Sequence, residues 1–302
     1  MSRPPCRDTD GVKMKRNRRI PAGLIVLILI CAVFAGLLIY IDRGLPRNPD
    51  SGENCTVWVP YTGDAMCAVI LKGDMCFMID TGSYADRDLT AALVKKLGIE
   101  KIDMLVISHS HADHFGGYPA LKGIDVEKVY ISPCADSENS FYQDCLEFFS
   151  DKGAQVLTAP VGESVDYGEV CFTFLGPVGE YEDINDMSVV VRLSYRAVSV
   201  LFPGDMTAQE ANDIIDSGAV LLSDVFIASH HGSAADGANS YRLLREVMPS
   251  YVVISDAGKH SSHGYPHEVL LSRLEDLGCE VHRTDLEGDI CFVLDGTSVV
   301  FR

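Results

Sequence analysis

The chain has 302 residues, 47% of them hydrophobic, and its 43 acidic side chains outnumber its 25 Lys and Arg for a net charge of −18. That balance excludes a generally basic, phosphate-neutralising surface, so a nucleic-acid partner would need a local feature or bound metal ions to overcome the field. With no internal period or low-complexity tract, the length suits one domain with its own core plus terminal appendages.

Residues 1–19 contain Lys13, Lys15, Arg16, Arg18 and Arg19, and the 22 positions from Ile20 to Ile41 carry no charge. At 1.5 Å per residue such a run crosses a hydrocarbon core of about 30 Å, which predicts a transmembrane helix over 20–41. The basic flank puts the tail, 1–19, in the cytoplasm and the rest of the chain outside. A cleaved signal peptide fits less well, because the run is longer than a typical h-region and Tyr40-Ile41-Asp42 has no small-x-small site. Residues 42–54, with Gly44, Pro46, Pro49 and Gly52, read as a linker, leaving a folded domain at 55–302. Beyond Arg43 there are 17 basic against 40 acidic residues, an acidity that also solubilises many exported domains.

Within the domain, apolar runs predict strands at Val69–Leu71, Cys76–Ile79, Leu105–Ile107, Val129–Ile131, Val170–Leu175, Val189–Leu193, Val198–Phe202, Val225–Ala228, Val252–Ile254 and Ile290–Leu294. Three- and four-residue apolar spacing predicts helices at Asp88–Leu97, Tyr142–Phe149, Ala208–Ile215, Tyr241–Val247 and His267–Leu277. Gly98, Gly153, Gly218 and Gly278 are stop signals after four of them. The alternation indicates an α/β layer structure with two sheets between helices. Eight of the ten cysteines fall in the exported part. There disulfides are permitted, and Cys134 with Cys145 is the first pair to test, while Cys76, Cys171 and Cys291 inside strand patterns suit small buried hydrophobes. No Cys-x-x-Cys pair suggests a zinc ribbon.

The densest chemistry lies at His109-Ser110-His111-Ala112-Asp113-His114, four metal-ligand side chains in six residues directly after an apolar strand. Imidazoles at i and i+2 share one side of an extended segment, while the adjacent carboxylate and third imidazole point elsewhere as the chain turns into a helix. One short loop can therefore serve two metal ions. This stretch resembles the HxHxDH signature of the metallo-β-lactamase superfamily. Upstream, Phe77-Met78-Ile79-Asp80-Thr81-Gly82 resembles the strand-end element whose aspartate, here Asp80, supports the metal loop. Downstream, Pro203-Gly204-Asp205 resembles the strand end that supplies a carboxylate bridging both metals. Asn185-Asp186-Met187-Ser188, His230-His231-Gly232-Ser233, Gly258-Lys259 and Thr284 to Gly288 extend the similarity to the metallo-β-lactamase-like domain of ComEC-type competence proteins, from about Thr56 to Arg302.

The resemblance implies a metallo-β-lactamase-like αββα sandwich preceded by the transmembrane helix. It also implies two divalent metal ions, zinc first and manganese as the alternative. His109 and His111 would hold the first metal, Asp113 and His114 the second, and Asp205 would bridge them. His230 and His231 supply one further ligand to the second metal and one group facing substrate, in an order the sequence leaves open. Asp113 or Asp205 would accept a proton from water and His230 or His231 would contact a substrate oxygen.

Two departures stand out. No histidine occurs between His114 and His230, so the additional first-metal imidazole of many superfamily members is missing. Asn185 or Asp186 could occupy its place, giving a more oxygen-rich site, or that metal binds weakly or is absent. ComEC-like domains usually show Tyr-Gly-His-Pro where this chain has His263-Gly264-Tyr265-Pro266, and whether His263 recovers the missing contact is open. His260, His267 and His282 read as a solvated loop residue, a helix-start residue and a structural strand residue. The expected function is a membrane-anchored, extracytoplasmic, metal-dependent phosphodiesterase or nuclease acting on DNA. Hydrolysis of another exported phosphodiester or ester, such as choline-phosphate on cell-wall polymer, and a noncatalytic assembly subunit are the alternatives. A single span gives the chain no DNA channel of its own.

Overall fold

The computed structural model describes residues 53–133 and 138–302. The tail, the transmembrane helix and all but the last two linker residues lie outside that set, as does Cys134. Among the described residues no helix is long and apolar enough to cross a membrane.

Strands β1 (Cys55–Val59), β2 (Cys67–Lys72), β3 (Met75–Thr81), β4 (Lys101–Ile102), β5 (Met104–Ile107), β6 (Asp125–Val126), β7 (Lys128–Ile131) and β8 (Gln155–Thr158) form the first half with helices α1 (Arg87–Lys96), α2 (Ala112–Phe115) and α3 (Ser140–Asp151). The second half holds β9 (Ser164–Tyr167), β10 (Val170–Phe174), β11 (Val191–Tyr195), β12 (Val198–Phe202), β13 (Val225–Ile227), β14 (Tyr251–Ile254) and β15 (Glu280–Arg283). Its helices are α4 (Ala208–Asp216), α5 (Tyr241–Val247), α6 (Glu268–Leu277) and α7 (Thr284–Glu287), and β16 (Ile290–Leu294) and β17 (Val299–Phe301) return to the first sheet.

One sheet runs β17-β16-β1-β2-β3-β5-β7-β8 and the other β15-β14-β13-β12-β11-β10-β9, with β4 and β6 pairing separately. Each sheet is antiparallel at one end and parallel at the other: β3, β5, β7 and β8 are parallel neighbours, as are β12 to β15. Alternation along the strands sorts the side chains into three apolar layers. Ile70, Phe77, Ile79, Val106 and Phe292 meet Phe172, Leu193 and Val200 between the sheets. Val69, Met78, Leu105 and Ile107 face the other way, onto Leu93, Phe115 and Phe149 of the helices. Leu201, Phe226 and Val252 pack on Ile214, Leu244 and Leu270 across the second sheet. Most strands buried on both faces read as continuous apolar runs and are legible in the sequence; β1 is the exception, its run broken by Thr56.

The four layers are the expected αββα sandwich. The ten predicted strands and five predicted helices are present within a few residues, except that β11 starts at Val191, after Val189 and Val190. Strands β8 and β9 escape the apolar pattern because they stand at sheet edges with half-exposed side chains. Cys76 and Cys291 are buried, Cys171 is half-buried, and Cys145 on α3 is a buried free thiol. Burial pushes the Cys67 thiol up to about 12.

Candidate metal centre

The parallel strands of both sheets end on one rim, and the functional side chains leave from those ends. β3 delivers Asp80, β5 delivers Ser108 and His109, β12 delivers Asp205, β13 delivers His230 and His231, and β14 delivers Ser255. Crevices beyond the carboxyl ends of parallel strands are where such sheets place ligands. Two glycines allow the close approach. A Cβ on Gly117 would lie 1.9 Å from the Thr81 carbonyl, so α2 could not close on β3 with any other residue there. Gly204 has φ +59, and a Cβ on it would fall 2.7 Å from Ser188 Oγ, the hydroxyl that accepts the Asp205 N–H at 3.0 Å.

Two ligand groups share one carboxylate. In the first, His109, His111 and Asp205 place one ligand atom each within 4.8 Å of one another, and His109 Nε2 lies 3.1 Å from His111 Nδ1. In the second, Asp113, His114, Asp205 and His231 do the same within 4.8 Å. Asp205 Oδ1 lies 3.2 Å from His114 Nε2 while its Oδ2 lies 3.7 Å from His231 Nε2 and 3.9 Å from His109 Nε2.

Outer contacts fix which nitrogen faces the centre. His114 Nδ1 lies 2.7 Å from Asp80 Oδ2, and His231 Nδ1 lies 3.1 Å from the Ser255 carbonyl. Both rings are therefore oriented through Nδ1, and both buried Nε2 atoms turn to carboxylates, His114 Nε2 to Asp205 Oδ1 at 3.2 Å and His231 Nε2 to Asp113 Oδ2 at 3.3 Å, without an aligned hydrogen bond. Buried nitrogens and carboxylate oxygens gathered this closely without aligned hydrogen bonds are costly unless something occupies the space between them, and two imidazole nitrogens with two carboxylates are the donor set of a divalent transition metal. The residues present fit such an ion. Asp80 itself is fully buried at φ 60 and accepts from Ser108 N–H (2.7 Å) and Ser108 Oγ (2.8 Å) as well.

Electrostatics point the same way. Burial opposes charge on His114 and His231, but Asp205 and the neighbouring carboxylates outweigh it and hold both above the usual histidine range. Burial disfavours the Asp205 carboxylate too, yet His114 and His231 bring it well below the usual range. His109 moves the other way, pushed down by burial and by His114. A cluster whose carboxylates draw protons onto adjoining imidazoles has a negative field that a divalent cation can meet.

A family model described as Metallo-beta-lactamase superfamily matches residues 61–256. The chain belongs to the metallo-β-lactamase superfamily. Competence protein ComA of Neisseria gonorrhoeae is 26% identical over 281 residues, covering 91% of this chain and 37% of that protein. ComE operon protein 3 of Bacillus subtilis (strain 168) is 24% identical over 215 residues, covering 69% of this chain and 26% of that protein. The chain thus spans well under half the length of these relatives. Among solved structures, the metallo-beta-lactamase fold protein YhfI from Bacillus subtilis aligns with a TM-score of 0.57 at 15% identity, over 80% of this chain and 100% of that one. CmlA, a diiron beta-hydroxylase from Streptomyces venezuelae, aligns with a TM-score of 0.52 at 16% identity, over 82% of this chain and 55% of that one. At those identities the likeness is one of fold.

Against the superfamily pattern, the structure separates the open alternatives. His231, not His230, joins the second ligand group; His230 Nε2 meets the Tyr265 hydroxyl at 3.2 Å. Asp186 is not brought to the first group, because its carboxylate accepts from Thr207 N–H (2.7 Å), Thr207 Oγ1 (2.8 Å) and Glu210 N–H (3.3 Å), satisfying the start of α4. Asn185 is half-buried and its Oδ1 is buried without a hydrogen-bond partner, so that oxygen is uncommitted. His263 is exposed and stacks on Tyr265 instead of joining either ligand group. Of the remaining imidazoles, His260 is exposed, His267 Nδ1 accepts the Ala234 N–H, and His282 stacks on Phe301. Ser108, Ser188, Ser255 and Tyr265 are site residues that sequence reasoning did not select. Serines carry no ligand signature, and Tyr265 was signalled only by the exchange of imidazole and phenol in its loop.

Proposed function

We propose that this protein is a metal-dependent phosphodiesterase of the ComEC-like type that acts on DNA outside the membrane, anchored by residues 20–41. One observation carries the hydrolase reading: Asp205 is shared by two adjoining ligand groups, one of which turns two buried imidazole nitrogens toward two carboxylates. When bound, a pair of divalent cations supplies water activation and charge stabilisation on a phosphoryl oxygen. His114, His231, Asp113 and Asp205 would hold one ion, for which zinc suits the imidazoles; His109, His111 and Asp205 would hold the other, with Asn185 Oδ1 as a neutral candidate that makes manganese suitable.

The chain's own residues divide the remaining work. Asp80 and Ser255 fix the rings they touch. The Asp113 side chain is 36% exposed whereas that of Asp205 is 3% exposed, so Asp113 is the carboxylate with a path to hand a proton to solvent. His230 and Tyr265, hydrogen-bonded to each other, would contact a substrate oxygen. The fold does not choose the reaction, since CmlA is a diiron beta-hydroxylase; the similarity to the two competence proteins supports DNA. The acidic exterior favours one competing reading, hydrolysis of a smaller exported phosphodiester such as choline-phosphate on cell-wall polymer.

The test uses the full chain in detergent, loaded with zinc or manganese, against single- and double-stranded DNA and a small phosphodiester. DNA cleavage abolished by Asp113→Ala is the expected result. Activity confined to the small diester would transfer the assignment to the competing reading, and failure to retain either metal would end both.

A further inference from the structure

The loop from Ala257 to His267 joins β14 to α6 beside the metal centre. Its eleven residues include no Asp or Glu and hold Lys259 and three of the chain's nine histidines, in a chain of net charge −18. Its rings form a column that starts at the centre. The Tyr265 ring lies 6.3 Å from His231 at an interplanar angle of 21°, and the His263 ring lies 5.4 Å from Tyr265 at 18°. Exposure rises along the column, from His231 at 4% and Tyr265 at 9% to an exposed His263.

The column is held in place. The Tyr265 hydroxyl meets His230 Nε2 at 3.2 Å, and Ser261 Oγ accepts the N–H groups of both His263 (3.1 Å) and Tyr265 (3.3 Å). Beneath the loop, the Asp64 carboxylate accepts from Ala257 N–H at 3.1 Å and Ser262 N–H at 3.2 Å, tying it to the segment before β2. At these centroid separations the near-parallel rings are offset, and the exposed His263 ring at their outer end offers a flat surface on which a further ring can stack.

We propose that the outward face of His263 is a nucleobase subsite, which stacks the base of a nucleotide next to the phosphate held at the centre. The proposal rests on the phosphodiesterase reading and narrows its substrate to one that carries bases. Every base offers a π-face, so such a platform grips single-stranded nucleic acid without reading sequence. Lys259 in the same loop suits a flanking phosphate. Its charge opposes a quaternary ammonium, whose capture needs an electron-rich ring away from positive charge.

The test measures binding and cleavage separately with the metal-loaded full chain. The ligands are a short single-stranded oligonucleotide and a strand of equal length built from abasic tetrahydrofuran units. His263→Ala is expected to weaken binding of the base-bearing strand roughly tenfold, leave the abasic strand unchanged, and be rescued by His263→Phe. Equal loss on both strands, or loss on neither, overturns the subsite, as does His263-dependent competition by a choline-phosphate diester. Base-dependent binding without cleavage supports the subsite while sinking the phosphodiesterase reading; cleavage without base-dependent binding does the reverse.

Discussion

Asp80 illustrates how much of this site is set by residues that touch no substrate. It sits at a left-handed φ of 60 where β3 ends, and its carboxylate gathers Ser108 and His114. Asp80→Asn keeps the size but weakens the grip on His114 Nδ1, so metal affinity is expected to fall about 10- to 100-fold, read by competition with a chromogenic chelator. The two ligand groups are unequal, four side chains against three. Titration with zinc should therefore show one tight and one weak equivalent, with Asn185→Ala weakening only the second; two equal equivalents would refute the asymmetry. His109, His111, Asp113 and His114 were legible because they are contiguous. The division between His230 and His231 was not. Both adopt positive φ after β13, and what turns one inward is the Ser255 carbonyl, 24 residues further on.

At the scale of elements, the loop after β14 is pinned by Asp256, whose buried carboxylate accepts from Gly258 N–H at 2.6 Å and leaves Oδ2 without a partner. Burial, helped by the charge of Asp285, pushes Asp256 up from 3.8 to about 7. A carboxyl raised on folding contributes stability that is complete below its unfolded value and lost as pH rises through the folded one. Relative to wild type, Asp256→Asn should thus gain stability between pH 4 and 7 and hold that gain above; urea midpoints at pH 4, 6 and 8 would show it, and a pH-independent difference would count against it. Between the sheets, Phe77 of β3 meets Phe172 of β10 at 4.9 Å, and Phe77→Ala should cost about 3–5 kcal/mol in denaturant unfolding. Most strands buried on both faces and the helices with glycine stops were readable from the sequence; central β1 was not, because Thr56 interrupts its apolar run. The edge strands β8 and β9 were not, because half-exposed four-residue strands lack a continuous apolar run.

For the whole molecule, the candidate metal centre lies where the two sheets end on one rim, and its candidate ligands come from segments at the ends of β5, α2, β12 and β13 in both halves of the sandwich. A metal that binds only the folded state raises stability by mass action, about 2.7 kcal/mol at a hundredfold excess over its dissociation constant. Chelator should lower the melting temperature of wild type and leave that of Asp205→Ala nearly unchanged. An equal response of the two proteins would place the stabilising metal elsewhere. The sequence by itself determined the layered α/β class and the cluster of candidate ligands at His109, His111, Asp113 and His114, since periodicity and contiguous ligands are local signals, whereas Asp205 was picked out through the family resemblance. Only the tertiary structure decided that Asp186 serves α4, that His231 and not His230 completes the second group, and that Tyr265 and His263 line up with it. Those outcomes depend on hydrogen-bond partners and ring contacts contributed by segments distant in the chain.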